Sequence, residues 1–268
     1  MSHKSSAFVL RPRRVCLFLT AVVCVLVVFS VLAQYAKLVL GHGRLLGFVP
    51  QFSLDAESNV PTYFSSLILL AASLLAGVIA RGVRDRDAPF SWHWRGLALL
   101  FASLSLDEAV SLHEGLIDPV RQTLNVGGAF YQAWVIPGLV LVFAFVVAYL
   151  RFFWHLPARW KKLFALAGGL YVGGALGMEM VGGWYWTTYG EWGFGPSLLA
   201  TTEEALEMGG VVVFIFALLE YLRVHGPTVR IAFGPKEGRN EEDAINGAVG
   251  RSAGRPAPAQ RDPTPPPR

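Results

Sequence analysis

The sequence predicts an all-α integral membrane protein, a polytopic bundle of six transmembrane helices with the N and C termini in the cytoplasm. Hydrophobic residues make up 53% of the 268 residues and charged residues only 16%, which is too apolar for an ordinary soluble domain. Long uncharged runs recur, and a helix that crosses about 30 Å of hydrocarbon needs about 20 mostly apolar residues. Basic residues also alternate between the connecting segments, as they do in multi-pass membrane proteins.

Six runs have the length and composition of membrane spans. The predicted spans are about 15–40, 62–80, 96–117, 132–152, 163–183 and 197–222, within a transmembrane domain 15–225. Residues 1–14 form a basic N-terminal segment, and residues 226–268, rich in Pro, Gly and Arg, predict a disordered tail. The first run could also be a signal peptide, but its apolar core exceeds the usual length of roughly 7 to 15 residues.

Basic residues predict the orientation of these spans. Arginines and lysines precede the first run and separate the second from the third and the fourth from the fifth, whereas the alternate connections hold almost none. Because positively charged loops stay inside, both termini are predicted to be cytoplasmic, in a plasma membrane of the bacterial inner-membrane type. The formal net charge of +4 follows from this topology. The predicted partner is therefore the lipid bilayer rather than nucleic acid, and the sequence leaves open which proteins bind it.

The third run is too short without its charged end. Residues 96–106 form only about 16 Å of helix at 1.5 Å per residue, roughly half of the hydrocarbon thickness. We therefore expect the helix to continue to about Ile117 and to carry the ionisable residues of DEAVSLHE (107–114) into the membrane. A re-entrant segment is the alternative.

Three predicted spans place carboxylates at one depth, in the outer half of the membrane. Seven residues make up this acidic set: Asp107, Glu108, Glu114, Glu179, Glu203, Glu204 and Glu207. Positive charge at that depth comes only from His113, with Lys37 and Arg121 near the edge. An unpaired charge near the bilayer centre costs about 2.5 to 3.5 kcal/mol even on lenient scales. The acidic set therefore predicts a site that holds protons or a bound cation.

Helix periodicity predicts which faces of the spans meet. The three glutamates of the sixth span lie three and four residues apart, so they share one face. A stripe of small residues runs along the fifth span, formed by Gly169, Gly173 and Gly177. Because such stripes are typical of close helix packing, we expect this one to bring Glu179 towards a neighbouring helix.

A metal centre is the kind of site that these donors favour. An oxygen-rich set with one imidazole suits iron or manganese, with magnesium possible, better than zinc. The predicted ligands are Glu108, His113, Glu114, Glu179, Glu204 and Glu207, with Asp107, Ser111, Glu203 and Arg121 as supporting or alternative residues. Such a centre fits a membrane enzyme that acts on a lipid-like or small substrate, although the sequence leaves open whether the chain is an enzyme.

Two other interpretations stay open. The first is a proton- or cation-coupled transporter, because intramembrane acids often line ion pathways and DEAV (107–110) resembles EEAL (203–206) in the other three-helix half. The second is a structural or assembly protein whose carboxyl groups only form interhelical hydrogen bonds. The segment 183–196, dense in Trp, Tyr and Gly, is expected to cover the metal site as a lid or to be an interfacial anchor.

Overall fold

The computed structural model describes residues 11–84, 90–190 and 193–225, and these residues form α-helices joined by short connections. The helices are α1 (Pro12–Leu38), α2 (Phe48–Phe52), α3 (Val60–Arg84), α4 (Ser91–Val110), α5 (Ile117–Leu124), α6 (Val135–His155), α7 (Ala158–Val172), α8 (Glu179–Tyr189) and α9 (Phe194–His225). No strand occurs in these three ranges, which confirms the predicted all-helical class. The predicted disordered tail, 226–268, and residues 1–10 of the basic segment lie outside the described residues.

Five to six helices are long and apolar enough to cross a membrane. Five qualify by themselves, namely α1, most of α3, α6, the run Ala158–Tyr189 and α9. The sixth crossing results if α4 and the segment Glu114–Leu124 are taken together as one bent span. On α6 the outward side chains are apolar, and Leu141 and Phe143 are 70% and 71% exposed. An apolar outer surface of this kind is typical of a helix that faces lipid.

α9 is the central helix of the bundle. It packs against α1, α3, α7 and α8, and its second half buries apolar side chains such as Val211, Ile215 and Leu218. α3 also packs along α4, and α4 contacts α9 directly through the stacked rings of Phe101 and Phe214. The core of the bundle therefore lies along α9, while α6 is at the edge.

The bundle has two ends, here named the upper end and the lower end. At the upper end α1 nears its C-terminus and α9 begins, where the hydroxyl groups of Ser30 and Thr201 are hydrogen-bonded at 3.1 Å. At the lower end α7 begins and α9 finishes, where Arg159 pairs with Glu220 at 2.7 Å. These contacts show that α1 and α9 run antiparallel, as do α7 and α9.

The third span differs from its prediction at both ends. α4 begins at Ser91, five residues before the predicted start, and its 20 residues are about 30 Å long. The helix stops before Ser111, whose backbone is left-handed (φ 50°), and the chain then bends by 75° into the segment Glu114–Leu124. The expected continuous helix to Ile117 is therefore wrong, because the left-handed backbone at Ser111 ends the helix before that residue.

The segment predicted to be a lid is mostly helical. α8 continues to Tyr189 and ends at Gly190, which adopts a left-handed conformation (φ 63°). α8 also packs against the single helical turn Gly128–Phe130, and a Cβ added at Gly183 would lie 3.2 Å from the Gly128 carbonyl oxygen. Residues 183–189 are therefore part of the bundle and not a loop over it.

Close helix packing occurs at other glycines than the predicted ones. In the predicted stripe of Gly169, Gly173 and Gly177, a Cβ added at each position would meet nothing within 4 Å. At Gly174 it would lie 2.8 Å from the Glu203 carbonyl oxygen, and at Gly210 it would lie 2.8 Å from the Ala167 carbonyl oxygen. The expected role of the stripe is therefore wrong. Ala167 and Gly174, which both approach α9, lie seven residues apart at the regular helical spacing, so the predicted stripe lies on a different face of the same helix. Residues 173–178 form a π-helical segment.

Candidate functional site

The acidic set gathers at the upper end from separate parts of the chain. Asp107 and Glu108 lie in the last turn of α4, and Glu114 follows the helix break. Glu179 is the first residue of α8, directly after the π-helical segment. The three remaining glutamates lie in the first half of α9. α4, α8 and α9 are brought together at this end by the packing of the bundle. The residues of the acidic set are therefore far apart in the sequence but close in space.

Asp107 fixes the position of His113. Its Oδ1 accepts the backbone N–H of His113 at 2.9 Å, and its Oδ2 lies 2.8 Å from Nδ1 of the imidazole. Both contacts reach across the helix break at Ser111, so this carboxylate stabilises the chain where α4 ends. Since Nδ1 faces Asp107, Nε2 is the ring nitrogen that points to other groups.

Glu179 is held by a tryptophan from the start of α6. The indole N–H of Trp134 donates to Oε1 of Glu179 at 2.8 Å. The same indole packs against the His113 ring, with ring centroids 4.6 Å apart. Trp134 thus joins the helix break to α8. In the sequence, Trp134 is marked only by its place beside the outer boundary of the fourth predicted span.

The glutamates of α9 interact with acids on other helices. Glu204 and Glu207 are half-buried, and both lie in the electric field of Glu108 and Glu179. The Tyr171 hydroxyl of α7 lies in the electric field of Glu207, Glu108 and Glu204. Within the described ranges, no lysine or arginine forms an ion pair with any of these four glutamates. The carboxyl groups are therefore close enough to repel one another when ionised.

Two acids that the sequence analysis left out also lie at the upper end. Asp55 and Glu57 belong to the connection between α2 and α3. Glu57 interacts with Ser111 and Glu114 across the helix break, and Asp55 Oδ2 lies 3.5 Å from the Ser197 hydroxyl. The sequence does contain one indication of this position. Both acids lie in the connection between the first and second predicted spans, which is expected on the same side of the membrane as the acidic set.

Glu57 gives a prediction for the pH dependence of stability. Its partial removal from water and the nearby Glu114 carboxylate raise the pKa of Glu57. Between the ordinary carboxyl pKa and this raised value, the folded protein binds more protons than the unfolded chain, so the free energy of unfolding falls as the pH rises. We expect Glu57→Gln to match the parent below about pH 4 and to melt at a higher temperature at pH 8.

Thermal unfolding in detergent at the two pH values measures this difference. Asp118→Asn is the control, because Asp118 is exposed and already paired with Arg121. Asp118→Asn should not raise the melting temperature at pH 8. An equal difference between Glu57→Gln and the parent at both pH values would contradict the prediction.

Arg121, predicted as a supporting residue, serves the connection between α5 and α6. It pairs with Asp118, donates to the Tyr131 carbonyl oxygen at 3.2 Å and lies 4.3 Å from the centre of the Tyr131 ring. These contacts occupy the guanidinium group away from the glutamates of α9. Arg121 therefore does not neutralise the carboxylates of the acidic set.

The predicted ligands do not converge on a single point. In residues 11–84, 90–190 and 193–225, no group of three or more His, Cys, Asp or Glu side chains is arranged so that it could hold one metal ion. Two predicted ligands have other partners, since His113 faces Asp107 and Glu179 accepts from Trp134. The side chains as placed do not fit the predicted iron or manganese centre, which stays a prediction.

Comparison with known proteins identifies the family of the chain. Residues 16–222 match the family described as "Domain of unknown function (DUF8692)". Since the match covers well over half of the sequence, the chain belongs to this family. No curated protein and no solved structure matches it. The matched region begins in α1 and ends in α9, so it covers the described helical bundle apart from residues 11–15 and 223–225.

Proposed function

We propose that this member of the DUF8692 family is an integral membrane protein whose acidic set binds and releases protons, as a proton- or cation-coupled transporter does. The observation that supports this proposal most is a group of carboxyl groups that no basic side chain in the described ranges neutralises. Glu108, Glu204 and Glu207 act on one another, and no lysine or arginine of the described residues pairs with them. Ionised carboxyl groups in an apolar bundle are costly, so such groups bind protons or cations.

The proposal includes an orientation for the bundle. The lower end faces the cytoplasm, because arginines gather there on α1, α7 and α9. The upper end and its acidic set then face the outside, in a plasma membrane of the bacterial type. Protons from the outside reach the acidic set over a short distance, while the core along the rest of α9 separates them from the cytoplasm.

The π-helical segment supports a working site beside Glu179. Single π-helical turns inside α-helices occur frequently at functional sites. Here the turn leads directly into Glu179, and a Cβ at Gly174 would lie 2.8 Å from Cγ of Glu207. A small movement of α8 along α9 therefore changes the distance between Glu179 and the glutamates of α9, and with it their repulsion. Such a movement is a simple way to couple proton uptake to a conformational change.

Glu204→Gln tests the transporter directly. We expect the parent to show an acid-stimulated cation flux in proteoliposomes and Glu204→Gln to abolish it, because an amide cannot take up or release the proton. The flux is followed with a pH-sensitive dye under imposed gradients of H⁺, Na⁺ or K⁺. Asp118→Asn, an exposed acid outside the set, should keep the parental flux. A parent without flux under every gradient would refute the transporter.

A metal-dependent membrane enzyme, acting on a lipid-like or small substrate, is the second candidate. The contact between Asp107 and His113 favours it, because a metal-binding histidine usually donates its other ring N–H to a carboxylate. In that case Asp107 orients the histidine and is not itself a ligand. Elemental analysis of detergent-purified protein is expected to find near-stoichiometric iron or manganese, reduced in His113→Ala and Glu207→Ala. A metal-free parent after mild purification would remove this candidate.

A further inference from the structure

The lower end of the bundle contains a cavity lined by arginines. Its volume is about 590 Å³, and its lining consists of Arg11, Pro12, Arg13, Arg14, Arg159, Glu220 and Arg223. Five guanidinium groups and one carboxylate therefore surround one space. We call this space the arginine cavity. It lies at the opposite end of α9 from the acidic set and has no part in the function proposed above.

Glu220 fixes two of these arginines at the wall. It is only 5% exposed, and its Oε2 accepts from Arg159 at 2.7 Å and from Arg223 at 2.9 Å. One carboxylate oxygen thus holds guanidinium groups from two different helices. Each guanidinium has five N–H donors in a planar fork, so both retain donors after binding Glu220. The two side chains are about half exposed, which keeps those donors accessible.

The other three arginines come from the start of α1. Arg11, Arg13 and Arg14 are exposed, and within the described part of the chain no carboxylate forms an ion pair with them. α1 and α7 both begin beside this cavity, and neither has an acidic residue in its first turn or a side-chain cap. Their first backbone N–H groups therefore add to the positive potential.

We propose that the arginine cavity binds a phosphate group, carried either by an anionic lipid headgroup or by a soluble phosphate compound. Guanidinium groups match phosphate oxygens with paired hydrogen bonds, and several of them around one space balance the phosphate charge. If the lower end faces the cytoplasm, the cavity meets the leaflet in which anionic lipids are concentrated. The inference needs membrane insertion for the lipid case and is independent of proton binding at the upper end.

Native mass spectrometry of the full chain in detergent tests the inference. The probes are phosphatidylglycerol, phosphatidylcholine and inorganic phosphate. We expect the parent to retain phosphatidylglycerol over phosphatidylcholine, and the pair Arg13→Gln and Arg14→Gln to weaken that binding roughly 25-fold, at about fivefold per arginine. The matched control is the pair Arg95→Gln and Arg151→Gln, which are basic residues outside the cavity lining. It should change the binding less than twofold.

The inorganic phosphate arm separates the two sources of the phosphate group. Displacement of phosphatidylglycerol by millimolar phosphate supports a soluble phosphate compound, and retention of the lipid supports a headgroup held together with its acyl chains. Equal binding of the two lipids by the parent, or equal losses in both double variants, would overturn the inference. If the variant at positions 13 and 14 does not fold, Arg11→Gln, outside α1, replaces it with an expected fivefold loss. Parental proton flux in these variants keeps this test separate from that of the transporter.

Discussion

Replacement of Gly210 by alanine is expected to lower the free energy of unfolding by about 1 to 3 kcal/mol, the range typical of an overpacked contact. A Cβ at this position would lie 2.8 Å from the Ala167 carbonyl oxygen and 2.8 Å from the Tyr171 backbone nitrogen. Both neighbours are backbone atoms, so only a separation of α7 from α9 can relieve the overlap. That separation would reach the acidic set, because Glu207 lies one helical turn before Gly210, and we expect proton flux to fall with stability.

Gly209→Ala is the matched control for this contact. It changes the neighbouring residue of the same helix, and a Cβ added there would meet nothing within 4 Å. Alanine in place of glycine also raises helix propensity by up to about 1 kcal/mol, so the control should be neutral or stabilising. Thermal unfolding in detergent should then show a lower melting temperature for Gly210→Ala and an unchanged or higher one for Gly209→Ala. A Gly210→Ala protein as stable as Gly209→Ala would show that α7 and α9 do not approach closely here.

The positions of the long helices follow from apolar run length. The span predicted at 15–40 is observed as Pro12–Leu38, and the span predicted at 197–222 is observed as Phe194–His225. Run length predicts these helices well because a helix satisfies its own backbone hydrogen bonds and needs only a sufficient stretch of apolar side chains. Apolar run length is a local property, so it predicts a helix even when the helices that pack against it are not known.

The limits of α4 depend on tertiary contacts and could not be predicted in the same way. Its first turns contain Trp92, His93 and Trp94, which do not resemble an apolar span. In the structure Trp94 is only 2% exposed and contacts the rings of Phe152 and Tyr221 from α6 and α9. Packing therefore extends the helix beyond the apolar run. At the other end, nothing in the residue type of Ser111 indicates a left-handed backbone.

The acidic set was predictable in its location but not in its partners. Depth and helical period place the glutamates of α4 and α9 at one end, and both are local properties of a helix. The contacts of Trp134 and Glu57 depend on how the connecting segments fold. Helical period also gave the wrong glycines, because it places Gly169, Gly173 and Gly177 on one face without indicating which face meets α9. Which face of a helix is packed depends on the neighbouring helices.

Asp107→Ala is expected to destabilise the protein by about 2 kcal/mol, since it removes a bond to a backbone N–H and a bond to an imidazole at one site. These contacts are 2.9 Å and 2.8 Å long, and they hold His113 across the break that follows α4. Loss of the carboxylate also frees the ring to rotate and to change its tautomer. The His113 ring packs against Trp134, which holds Glu179, so we expect proton flux to fall as well.

Asp107→Asn separates the structural role of this carboxylate from its effect on His113. Its amide oxygen still accepts the backbone N–H of His113, so most of the stability should return, whereas the imidazole no longer faces an anion. Thermal unfolding measures the first effect, and nitrogen NMR of the labelled His113 ring together with proton flux measures the second. Because stability and flux are expected to change independently, parental flux with an unchanged ring tautomer in Asp107→Asn would show that Asp107 only caps the helix break.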